Sequence, residues 1–152
     1  SSDLKDTMSE TEVNHGGCIC GGIRYQVTGV PVIVAHCHCR NCQRGGGAGH
    51  STGAMFPVDR FRLTGSVSEY HLDSSQGTRV TRSFCPVCGS PIFGRNDGTP
   101  DHVTIALGPL DDPSAFTPAV VIHARSRPFW DAMEPDLETF ATQPDWKPDR
   151  DG

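Results

Sequence analysis

From His15 onward, apolar and polar residues alternate in short runs rich in β-branched side chains, and the runs are cut repeatedly by Gly or Pro. Successive strand residues project to opposite faces, so this alternation predicts short, half-buried strands. The predicted strands are Gly22–Thr28, Val32–Cys37, Ala54–Phe56, Val67–Leu72, Arg79–Phe84, His102–Leu107 and Ala119–Ala124. Gly29 with Pro31, Gly45-Gly46-Gly47, Gly65-Ser66, Asn96-Asp97-Gly98 and Gly108-Pro109 mark the turns between them. Helical signals are weak. Asp111-Asp112-Pro113-Ser114 is placed to start one turn and Pro135–Ala141 another, since proline is tolerated at a first helical position. The pattern predicts a mainly β fold with short helical turns.

The 152 residues, with 17 Gly and 12 Pro, fit one compact, loop-rich domain whose core is small enough to need a staple. Residues 1–14 are polar and lack aromatic side chains, and are expected to form a flexible arm. Residues 132–152 are expected to be a tail, its end rich in Pro and Asp with Trp146 as its anchor. A formal charge of −5 gives no overall basic field for a phosphate backbone, so no nucleic acid is expected as partner. No run approaches the roughly 20 apolar residues of a membrane helix, and no basic start leads into an apolar stretch. A cytoplasmic protein with no membrane partner is expected.

Seven cysteines change the picture most. They fall in three clusters: Cys18-Ile19-Cys20, Cys37-His38-Cys39-Arg40-Asn41-Cys42 and Cys85-Pro86-Val87-Cys88. An odd count argues against complete disulfide pairing, and C-x-x-C is the familiar half of a zinc site. Gly89, directly after Cys88, permits the left-handed backbone such a knuckle often needs. Residues i and i+2 of a strand share a face, so Cys18 and Cys20 supply two more thiols, and with Cys85 and Cys88 they make a closed tetrahedral set. A metal held there contributes to folding, on the order of 10 kcal/mol or more.

Cys37, Cys39 and Cys42 leave one zinc position open, as catalytic sites do, and a substrate thiol is a natural fourth ligand. The competing reading is a second structural site completed by His36, His38 or His50. His38 is the poorest of these, because it points to the opposite face from its flanking cysteines. A redox role for Cys85 and Cys88 requires a βαβ context that the pattern does not offer, and the spacings differ from those of iron–sulfur proteins.

The strings Gly17-Cys18-Ile19-Cys20-Gly21-Gly22-Ile23-Arg24-Tyr25, His36-Cys37-His38-Cys39-Arg40-Asn41-Cys42 and Phe84-Cys85-Pro86-Val87-Cys88-Gly89-Ser90 closely resemble the glutathione-dependent formaldehyde-activating (GFA) family, which includes a centromere protein. The resemblance extends to His123-Ala124-Arg125-Ser126-Arg127-Pro128-Phe129-Trp130 and covers about residues 15–131, the expected zinc domain. It implies a single-domain Mss4-like (β-tent) fold with two zinc ions. Cys18, Cys20, Cys85 and Cys88 match the structural site, and Cys37, Cys39 and Cys42 the catalytic one. It implies a carbon–sulfur lyase or synthase that adds a thiol such as glutathione to a small electrophile such as formaldehyde, or the reverse.

Glutathione carries two carboxylates, for which Arg40 and Arg44 are the nearest cations in sequence, with Ser51, Arg125 and Arg127 weaker candidates. Phe129 and Trp130 are candidates to line a pocket, although an aromatic pair after Pro128 is more often expected to pack and seal the core. The alternatives are a non-catalytic zinc scaffold that binds a macromolecular partner, and a metal-storing or redox-sensing protein.

Overall fold

A computed structural model describes residues 10–144. Trp146 lies outside them. Eleven strands are formed among the described residues: β1 (Val13–Gly17), β2 (Arg24–Thr28), β3 (Ile33–Cys37), β4 (Ser51–Pro57), β5 (Phe61–Thr64), β6 (Ser68–Asp73), β7 (Arg79–Phe84), β8 (Pro91–Asn96), β9 (His102–Ala106), β10 (Val120–Ile122) and β11 (Glu138–Thr139). One α-helix, α1 (Arg40–Gly46), follows β3, and 3-10 turns occupy Val58–Arg60 and Ala124–Ser126. The fold is mainly β, as the alternation predicts.

The strands form two sheets: an antiparallel three-stranded sheet in the order β1-β2-β5, and an eight-stranded sheet in the order β11-β10-β3-β4-β9-β8-β7-β6. Their inward faces share one core. Ile23, Tyr25 and Val27 from around β2 meet Ala54 and Phe56 of β4, Ile92 of β8, and Val103 and Ile105 of β9. Alternation within β4 buries Ala54 and Phe56 and leaves Gly53 and Met55 more accessible, the period of two expected of a half-buried strand. Phe56 stacks edge-on against Phe116 at 5.6 Å, closing the core beneath the loop that follows β9.

Several expectations need correction. Val13 and Asn14, assigned by sequence to the arm, pair with Thr28 and Val27 in β1. Glu138 and Thr139, assigned to the tail, pair in parallel with Val120 and Val121. At Pro135 a single turn forms, with Leu137 N donating to Glu134 O at 3.3 Å, but it does not extend to Ala141: from Glu138 the chain runs alongside β10, and Phe140 N donates to Val121 O at 2.8 Å. At Asp112 a turn does form, with Ala115 N donating to the Asp112 carbonyl at 3.1 Å. Phe129 and Trp130 do not seal the core: they are 92% and 62% exposed. No helix among the described residues is long and apolar enough to cross a membrane.

Candidate metal centre and thiol site

The first thiol group joins the two sheets. Cys18 and Cys20 lie in the turn between β1 and β2, so it is a tight turn and not strand alternation that brings them together. Gly21 N donates to Cys18 O at 3.1 Å and takes a φ of 78°, a conformation that favours glycine. Cys85 and Cys88 occupy the turn between β7 and β8, where Gly89 N donates to Cys85 O at 2.9 Å and Gly89 also has a φ of 78°. The Cys18 and Cys20 sulfurs are 3.5 Å apart, and Cys20 is 3.7 Å from Cys85.

A tetrahedron with Zn–S bonds of about 2.3 Å has sulfur–sulfur edges of about 3.8 Å, so this spacing fits zinc. Backbone N–H groups already point at the sulfurs: Ile23 N to Cys18 Sγ at 3.3 Å, and Val87 N and Cys88 N to Cys85 Sγ at 3.4 and 3.5 Å. Such donors stabilise thiolate, the form that binds metal. The Ser90 hydroxyl and backbone hold the Cys88 thiol down at about 5. Ser90 also accepts from Ile19 N at 3.1 Å and lies 3.2 Å from Cys88 Sγ, so one hydroxyl braces both turns. All seven cysteines are free thiols, and Cys85 and Cys88 sit in an antiparallel β-hairpin, not in a βαβ unit.

The second group is built where β3 runs into α1. Cys37 ends β3, Cys39 caps the helix with its sulfur accepting from Cys42 N at 3.3 Å, and Cys42 lies within the helix, buried. The three thiols stand within 4.8 Å of one another, and no fourth Cys, His, Asp or Glu of the described residues joins this group. The trio divides its charge unevenly. Hydrogen bonds from Cys37 and Cys39, and then from Ser51 and Arg82, hold Cys42 well below the usual thiol range, while contacts with Cys39 and Cys42 and burial push Cys37 well above it.

Arg82 escapes the sequence reading. It projects from β7, and its Nη2 donates to Cys42 Sγ at 3.5 Å. Gly45 admits the guanidinium, since a Cβ there would lie 2.9 Å from Arg82 Nη1. Alternation along β7 gave no sign of this contact, which depends on α1 folding over the sheet. Arg40 is exposed and bonds Gln43 Oε1, and Arg44 is exposed in the last turn of α1. Arg127 reaches Asp131 O at 2.9 Å and Arg125 is exposed in its 3-10 turn, so neither is directed to the thiols by a described contact. Gln43, also missed, is buried and donates to His38 O at 2.8 Å and Ser126 O at 2.9 Å, tying α1 to the segment after β10.

The candidate histidines lie on the other side. Cys37 pairs with Ser51 and His36 with Thr52, so alternation directs Cys37 and Ser51 to one face and His36 and Thr52 to the other. His36 Nδ1 meets Thr52 Oγ1 at 2.7 Å, and the rings of His36 and His38 both stand edge-on to His50. None of the three joins the trio. A surface groove of about 280 Å³ beside Val121, Arg127 and Met133 includes none of the cysteines.

The family model described as "Glutathione-dependent formaldehyde-activating enzyme" matches residues 13–126. The chain belongs to this family. The GFA match takes in all seven cysteines and ends within the 3-10 turn before Phe129 and Trp130. A crystal structure of a Rhodobacter sphaeroides protein is similar in fold, with a TM-score of 0.53 and 15% identity over 83% of this chain and 98% of that one. No curated protein matches the sequence.

Proposed function

We propose that this GFA-family chain is a carbon–sulfur lyase or synthase that joins a small thiol, such as glutathione, to a small aldehyde, such as formaldehyde, and catalyses the reverse. The observation that carries this reading is the three-thiol group with no fourth protein ligand beside it among the described residues. In this reading Cys18, Cys20, Cys85 and Cys88 hold a structural zinc, and Cys37, Cys39 and Cys42 hold the zinc at which substrate binds. When bound there, the ion stabilises a thiol as its nucleophilic thiolate and leaves a coordination position for it.

The chain's own groups supply the rest. Arg82, with its guanidinium 3.5 Å from Cys42 Sγ, places positive charge where sulfur charge gathers and where a substrate carboxylate can be paired. Arg40 and Arg44 project from α1 on either side of Cys42 in sequence and are further cations for the second carboxylate. In the synthetic direction the substrate sulfur forms the new C–S bond, the C=O π pair moves to oxygen, and the proton lost by the thiol ends on that oxygen. The lyase direction reverses each movement.

Exposed Phe129 and Trp130 favour one second reading, a zinc scaffold that docks a macromolecule. Exchange NMR with ¹³C-formaldehyde and glutathione separates the two. The enzyme reading requires faster interconversion of formaldehyde and its glutathione adduct in the presence of protein, lost in Cys39→Ala and weakened in Arg82→Ala. Exchange at the uncatalysed rate with the zinc-loaded parent overturns it.

A further inference from the structure

On the face opposite the thiols, His36, His38 and His50 form a cluster to which the proposed reaction assigns no role. The His36 and His50 ring centres are 4.7 Å apart and those of His38 and His50 5.5 Å, both pairs edge-on. Asp131 joins them from the segment after β10. Its carboxylate oxygen lies 2.6 Å from His50 Nδ1 and 3.3 Å from His38 Nδ1. One ligand atom from each of His38, His50 and Asp131 lies within 4.8 Å of the other two. Gly49 makes the approach possible, because a Cβ there would run into the Asp131 carboxylate.

The proton inventory shows what the cluster lacks. His38 Nδ1 faces the Gly49 carbonyl at 2.8 Å as well as Asp131, two acceptors, so Nδ1 carries the proton and Nε2 keeps a lone pair. His38 is fully buried, and its Nε2 has no hydrogen-bond partner. A buried acceptor left bare is costly, which calls for a partner. His50 Nδ1 faces Asp131 and His36 Nδ1 faces Thr52 Oγ1, so each of the three rings has an oxygen at one nitrogen. Ligating histidines show this arrangement: an oxygen partner fixes the tautomer at one nitrogen, and the other takes the ion. His38 and His50, with ring centres 5.5 Å apart, are the two imidazoles that share a ligand group with the Asp131 carboxylate.

We propose that His38, His50 and Asp131, with the His36 ring edge-on beside His50, form a third site, for a divalent transition cation such as Zn²⁺ or Co²⁺. A set of imidazoles and one carboxylate suits these ions better than Mg²⁺ or Ca²⁺. The site stands on donors and a sheet face separate from the cysteines and does not depend on the proposed reaction. It clamps the segment bearing Phe129 and Trp130 to the end of the β3–β4 pair, since Asp131 is on the former and His38 and His50 flank the latter.

The test is a Co²⁺ titration of full-length protein already saturated with two equivalents of Zn²⁺, with bound metal counted after dialysis. The site predicts one further equivalent whose visible spectrum has ligand-field bands and no sulfur-to-metal charge transfer. It predicts loss of that equivalent in His50→Ala and in Asp131→Asn, and its retention in Cys39→Ala. No further equivalent in the parent overturns the proposal whatever the variants do, as does a further equivalent with sulfur charge transfer or one that survives His50→Ala in folded protein. Failure of the thiol site would appear separately, as fewer than two tightly held Zn²⁺ before Co²⁺ is added.

Discussion

Arg24 and Asp111 form a half-exposed ion pair between distant segments of the chain. The guanidinium meets the carboxylate with both nitrogens, at 3.0 and 2.5 Å, tying β2 to the turn after β9. The Arg24 hydrogen bond holds the Asp111 carboxyl below its usual range, so the carboxylate favours the folded state above the unfolded pKa, and that contribution is lost as pH falls through the folded one. Both side chains are about half exposed, so the effect is small and screened by salt. Asp111→Asn is expected to lower Tm modestly at neutral pH and low salt. The difference from the parent should vanish in strong acid, as measured by calorimetry across pH. Arg82 is the more consequential residue. Loss of a charge-assisted contact of about 1.5–3 kcal/mol predicts glutathione binding roughly ten- to hundredfold weaker in Arg82→Ala, with partial recovery in Arg82→Lys, by isothermal titration. The thiols could be read from the sequence because cysteine spacing reports local turns, whereas Arg82 could not, because its contact joins β7 to α1 across 40 residues of chain.

Element by element, the strands that bury a regular face were readable and the others were not. Arg79–Phe84 was predicted with the bounds that β7 shows. β5 and β8 were missed: their strand character depends on pairing with β2, and with β7 and β9, and Pro91 and Gly94 dilute the signal in β8. α1 was missed because Gly45 and Gly46 are poor helix formers. What makes it a helix is tertiary: the Cys39 sulfur caps its start, Gly47 in the left-handed region ends it, and Gln43 anchors it to two backbone carbonyls. Gln43→Ala therefore leaves the buried His38 carbonyl and the part-buried Ser126 carbonyl short of a donor. It is expected to cost about 1–3 kcal/mol in chemical denaturation and to speed amide exchange around Ser126. β11 is two residues long and had no signal of its own.

Across the whole molecule, the first thiol group links the small sheet to the large one, through the β1–β2 turn and the β7–β8 turn, 65 residues apart between Cys20 and Cys85. The second group lies at the junction of β3 and α1 and bridges no sheets. Cys20→Ala is thus expected to unfold the protein or lower its Tm severely, and chelation of zinc from the parent to do the same, whereas Cys39→Ala remains folded and loses one zinc; thermal melts with metal analysis check both. Acidic balance and the GFA-family match agree with a small-molecule substrate, while Phe129 and Trp130 are among the large apolar side chains left exposed.

The most direct measurement is zinc-edge X-ray absorption of protein loaded with two Zn²⁺, without and with glutathione. The account predicts that the mean number of sulfur ligands per zinc rises when glutathione is added to the parent, and does not rise in Cys39→Ala. An unchanged sulfur count in the parent at saturating glutathione would contradict it, because the fourth position at Cys37, Cys39 and Cys42 would then not be open to a substrate thiol.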